Sequence, residues 1–175
     1  MEPQNDGRVV GTSTKAGALL FAVWGVLHVW VGAEGVHQYL NPSGHGLWKM
    51  LFGGASAPVT AYVPTADAVT ASVQNHLALN FVIDVGAAGL LGIALAWLIW
   101  KRGSWAAYLI AVVIIGVIDN AFLFTQVTPG LIALNAGTVG GPVLWVLASI
   151  VTPFGLPSVR RPARPLSTSA IGHAT

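Results

Sequence analysis

Residues 77–100 read LALNFVIDVGAAGLLGIALAWLIW and run directly into Lys101 and Arg102. A stretch of this length crosses the ~30 Å hydrocarbon core of a bilayer as one helix, which takes about 20 apolar residues. The basic pair marks where it meets the headgroups. Three further stretches qualify, at about 16–35, 105–127 and 131–153. The third ends at Thr128, Pro129 and Gly130, where Pro cannot continue a helix and Gly tolerates the turn. The chain therefore reads as all-α, an integral membrane antiparallel four-helix bundle spanning residues 16–155. A polar N-terminal segment, 1–15, precedes it and a basic tail, 156–175, follows.

Composition agrees. Of 175 residues only 8% are charged and 54% are hydrophobic, with a mean hydropathy of +0.70. A soluble domain carries about 25% charged residues, so lipid has to cover this surface. Cys is absent, which excludes a disulfide framework, a thiolate metal site and a Cys nucleophile. The net charge of +2 does not imply nucleic acid, because the basic residues are few and sit at segment ends. Arg8, Lys15, Lys101, Arg102, Arg160, Arg161 and Arg164 all fall on one side of an even-numbered bundle, and only Lys49 falls on the other. By the positive-inside rule both termini are expected in the cytoplasm, in a multi-pass protein of a prokaryotic inner membrane.

The first span admits a second reading. Lys15, an apolar run and then Val31, Gly32 and Ala33 before Glu34 have the parts of a cleavable signal peptide. The run is long for that role, and its polar residues favour a retained helix. The outer loop, about 38–75, is rich in Gly, Pro, Ser and Thr, with an apolar patch around Leu47, Trp48, Met50, Leu51 and Phe52 suited to a short interfacial helix. A loop of that length is either a lid or a loose connection. Trp30, Trp48, Trp97, Trp100 and Trp105 fall near helix ends and read as an interfacial belt.

Ionisable residues inside the hydrocarbon are costly and usually face a bundle interior. Here they are His28, Asp84 and Asp119. From the middle of each span, His28 and Asp119 each lie roughly 4 Å, and Asp84 roughly 7 Å, toward the outer side. Asn120 and Thr138 fall near that level. Glu34, Asn80 and Asn135 lie roughly 10–13 Å out, and His37, His76 and Gln126 lie near the outer interface. His76, Asn80 and Asp84, at i, i+4 and i+8, form one polar stripe. The cluster holds acids, imidazoles and amides without an intramembrane Lys or Arg, so it suits protons, cations or a neutral polar ligand. Two carboxyls with a nearby imidazole form a general acid/base arrangement.

The favoured expectation is an acid/base enzyme, an isomerase or oxidoreductase, acting on a small lipophilic substrate such as an isoprenoid, quinone or sterol-like compound. His28, Asp84 and Asp119 would be catalytic. Asn80, Asn120, Asn135 and Thr138 would bind substrate, although a lone Asn or Thr more often joins two helices. The rival expectation is a haem or metal ion for electron transfer, with Glu34, His37 and His76 as the weak ligand set. Glu34 and His37 are a single E-x-x-H pair, and no second copy exists. A third reading is a non-catalytic subunit or scaffold, as a homo-oligomer or in a membrane complex. HExxH, GxSxG and Walker patterns are absent.

Overall fold

The computed structural model describes residues 10–42 and 46–157. Residues 158–175 of the expected basic tail and most of the N-terminal segment lie outside the described residues. Among the described residues five α-helices form: α1 (Thr12–Leu40), α2 (Trp48–Leu51), α3 (Ala68–Arg102), α4 (Trp105–Phe122) and α5 (Ala136–Val151). Leu123–Val127 extends α4 as a π turn, and Thr152–Gly155 extends α5 as a 3-10 turn. Among the described residues four helical stretches are long and apolar enough to cross a membrane. No strand forms among them beyond one isolated bridge, Gly54 to Ala57.

Helix ends follow local chemistry. Gly103 closes α3 in the left-handed region at φ 55°, where a side chain would be strained. Ser104 then caps α4 by accepting from the Ala107 N–H, so the inner turn is only two residues long. Asp67 caps α3 through the Thr70 N–H. This cap starts α3 nine residues before the hydrophobic run at 77, and at 35 residues the helix is roughly 52 Å long. The outer loop is correspondingly shorter than 38–75. It is also built. Gly54 donates to Leu131 O and Ser56 to Gly130 O, joining it to the α4–α5 connection. Leu47 is buried with Ala78 and Val82 of α3, and the rings of Trp48, Phe52 and Tyr62 pack together.

Packing centres on α1, which lies along α3 and against α5. Glycines set the α1–α3 approach. A Cβ on Gly25 would sit 2.6 Å from Gly89 O, and one on Gly32 would sit 2.6 Å from the Gly86 Cα. Close backbone approach through small residues is the usual membrane-helix solution, since lipid supplies no hydrophobic drive between helices. Phe21 and Trp24 of α1, Ile99 of α3, Ala111 and Ile115 of α4 and Ala148 of α5 form the main core. Three polar side chains are bonded across helices. Tyr108 donates to Ser149 O at 2.8 Å, Trp145 to Val112 O at 3.0 Å, and Thr14 to Thr152 O at 2.8 Å. The outward faces are lined by Leu, Val, Ile and Trp.

Candidate functional site

Two of the expected site residues meet. Helix α1 brings His28, and α4 brings Asp119, to within 3.8 Å (Nε2 to Oδ1). The depth arithmetic had placed them on one level, and the fold turns them toward each other. Asp119 is 3% exposed and His28 19%, so the carboxyl is sealed while the imidazole keeps an open edge.

A residue outside the expected set completes the cluster. The Trp24 indole N–H lies 2.9 Å from Oδ2 and 3.2 Å from Oδ1 of Asp119. Trp24 is fully buried. Its ring stacks on His28 one turn above, with centroids 3.8 Å apart and planes 24° from parallel. The available signal was its position: unlike Trp30, Trp97 and Trp100, it falls near mid-span and four residues before His28. A mid-membrane indole needs an acceptor. Gly141 of α5 closes the fourth side. A Cβ there would lie 3.2 Å from His28 Cε1, 3.3 Å from Asp119 Oδ1 and 3.4 Å from Trp24 Nε1.

The hydrogen bonds define the imidazole's role. His28 Nδ1 lies 2.8 Å from Trp24 O. A carbonyl only accepts, so Nδ1 carries a hydrogen. In the neutral ring Nε2 then bears the lone pair, and it is Nε2 that faces the carboxyl. At 3.8 Å the two atoms, Nε2 and Oδ1, lie within ion-pair range but beyond a direct hydrogen bond. The geometry therefore puts the Nε2 lone pair of a neutral His28 on the side of the Asp119 carboxyl, with a gap between them.

The remaining expected residues lie elsewhere. Asp84 and Asn80 are exposed on the outward side of α3, bonded to each other at 2.8 Å; the expected grouping of Asp84 with Asp119 and His28 does not form. The reason is the glycine contact with α1, which turns Gly86 and Gly89 inward and carries Asp84 to the opposite face. A carboxyl facing hydrocarbon costs roughly 2.5–3.5 kcal/mol on the insertion scale if charged. Asn120 is exposed and donates to Gly116 O one turn below, at 2.7 Å. Asn135 and Thr138 form a reciprocal capping box at the start of α5, a role tied to this helix starting at Ala136 rather than 131. Neither bridges two helices. Glu34 accepts from Gln38 at 2.8 Å. His37 is exposed, and His76 is bonded to Ser72 O at 2.8 Å with its ring edge-on to Tyr39. Among the described residues no group of three or more His, Asp or Glu forms a metal-binding cluster, so Glu34, His37 and His76 are not assembled as one ligand set.

A small recess of about 180 Å³ lies at the outer end between α3, α4 and the outer loop, lined by Trp48, Leu51, Phe52, Phe81, Gln126, Leu131 and Ile132. Fold and surface together define the class: an all-helical integral membrane protein with four candidate spans, in contact with lipid. Comparison with protein-family models, curated proteins and solved structures finds no match.

Proposed function

We propose that the protein is a membrane-embedded acid/base catalyst for a small lipophilic substrate, of isoprenoid, quinone or sterol-like type, with Asp119 and His28 as its proton-carrying pair. The observation that carries this reading is the orientation of His28: Nδ1 is committed to Trp24 O, which leaves Nε2 facing the enclosed Asp119 carboxyl at 3.8 Å. Trp24 holds the carboxyl through its indole N–H. The open edge of His28 is the side from which substrate is approached, because Asp119 itself is enclosed. A shared proton in a dry interior passes to a neutral acceptor and is recovered from it without a free charge crossing the bilayer. Asp84 and Asn80 are left out of this step. The same reading takes both termini as cytoplasmic, from the placement of the basic residues, and an inner-membrane location.

The test is binding and turnover in reconstituted vesicles with a defined panel: a short-chain quinone, a polyprenol and a sterol. Wild-type protein should bind and convert one member. Asp119→Asn and His28→Gln should each abolish conversion while Asp84→Asn retains it. Full conversion by Asp119→Asn would exclude the assignment.

A further inference from the structure

The outward face of α3 carries polarity that the single chain does not use. Asn80 and Asp84 are exposed, and among the described residues the polar side-chain partner of each is the other. Asp84 lies roughly 24 Å above Trp100, inside a hydrocarbon core about 30 Å thick, and Asn80 lies one turn nearer the outer boundary. An Asp in this position normally turns to a protein neighbour rather than to acyl chains. Leu77, Asn80, Asp84, Ala87, Leu91 and Ala94 are all exposed. They follow alternating spacings of three and four, which is the seam of a left-handed helix pair with polar residues at two core positions. This seam lies on the opposite side of α3 from the glycines that meet α1.

We infer that α3 pairs with α3 of a second copy of this chain, in parallel, about a two-fold axis normal to the membrane. Copies inserted in one orientation present the same residue at the same depth, so such an axis brings Asn80 and Asp84 opposite their own equivalents. The pair is self-complementary there: the amide supplies donors, the carboxyl supplies acceptors, and one amide hydrogen remains after the internal bond. Ala87 and Ala94 let the two helices approach in the half below. None of these residues belongs to the Trp24–His28–Asp119 cluster, so this inference does not rest on the proposed catalysis.

Because the chain has no Cys, single-cysteine variants report contacts without background. Ala87→Cys and Ala94→Cys should cross-link to dimers on oxidation in native membranes, and Val113→Cys, on the exposed side of α4, should not. Wild-type protein in dilute lipid vesicles should count as pairs by single-molecule photobleaching. Asn80→Leu with Asp84→Leu should weaken the pairing about eight-fold, the effect of two symmetric hydrogen bonds of average membrane strength. Absent seam cross-links, equal cross-linking at Val113→Cys, or cross-links only to a different protein would each overturn the proposal. So would a double variant that pairs as tightly as the parent.

Discussion

Asp119 and Asp84 sit on consecutive membrane-spanning helices, in the halves away from the Gly103–Ser104 turn, and are treated in opposite ways. Asp119 is enclosed by Trp24, His28 and Gly141, taking its donor from another helix. Asp84 stands on the outside of α3 and finds only Asn80 of its own helix. A carboxyl enclosed between three helices and held by an indole N–H has a set geometry, which is what chemistry requires. A carboxyl on an open face has unused hydrogen-bonding capacity, which is what association requires. Under the two proposals the same side chain serves catalysis on an enclosed face and association on an open one.

The comparison breaks most readily at Trp24. Trp24→Ala should cost about 3–5 kcal/mol, the range for truncating a buried aromatic residue, and should also release the Asp119 carboxyl. Thermal unfolding in detergent reads this, and an unchanged midpoint would deny Trp24 its place in the core. Trp24→Phe keeps an aromatic ring but loses the N–H and part of the indole volume, so its loss should be smaller than that of Trp24→Ala.

Replacing each carboxyl by Leu sharpens the contrast. Asp119→Leu leaves the Trp24 N–H buried without an acceptor, at an expected cost of about 1–3 kcal/mol. Asp84→Leu should leave the stability of the monomer unchanged or raised, because it removes a polar group from a lipid-facing surface. Equal destabilisation by both, measured in the same detergent, would erase the distinction between the two faces.

Asn135→Ala should cost about 1 kcal/mol through loss of the N-cap. Hydrogen exchange should rise in the first turn of α5 alone. A loss of substrate binding without fraying would instead return Asn135 to a ligand role.

Most of this architecture was legible because hydrophobic length is a strong signal: 24 apolar-rich residues before Lys101 leave little alternative to a span. Depth was legible too, since rise per residue alone put His28 and Asp119 on one level. Facing was harder. Which side of α3 turns inward is decided by the mutual fit of Gly25 and Gly32 with Gly89 and Gly86, a property of two helices together. Yet the glycine stripe lies about 140–160° around α3 from Asp84, so the phase of the small residues already opposed that of the polar ones. Trp24 was hidden by the general rule that tryptophans mark interfaces. The start of α5 was hidden by the π turn and the loop after it, which absorb residues that hydropathy alone assigns to the span.

The smallest effect concerns the outer end of α3. Asp67 lies outside the membrane, and hydrogen bonds from the Thr70 hydroxyl and then the Thr70 backbone N–H hold its carboxyl below the usual range. Its contribution is complete above the ordinary carboxyl value of about 4, and it is lost as pH falls through the lower folded value. Amide exchange in residues 68–72 should therefore increase on acidification below about pH 4. Asp67→Ala should show that increase already at neutral pH. An unchanged profile in the variant would remove the cap, without touching either intramembrane carboxyl.

Proton exchange between Asp119 and His28 is the central claim of the proposed function, and pH-difference infrared spectroscopy of the protein in lipid tests it most directly. A coupled pair titrates as one unit. Carboxyl and imidazole bands should therefore change together at the same pH, and both should vanish from that step in Asp119→Asn and in His28→Gln, while Asp84→Asn leaves it intact. Bands that move at separate pH values, each indifferent to substitution of the other residue, would contradict the account.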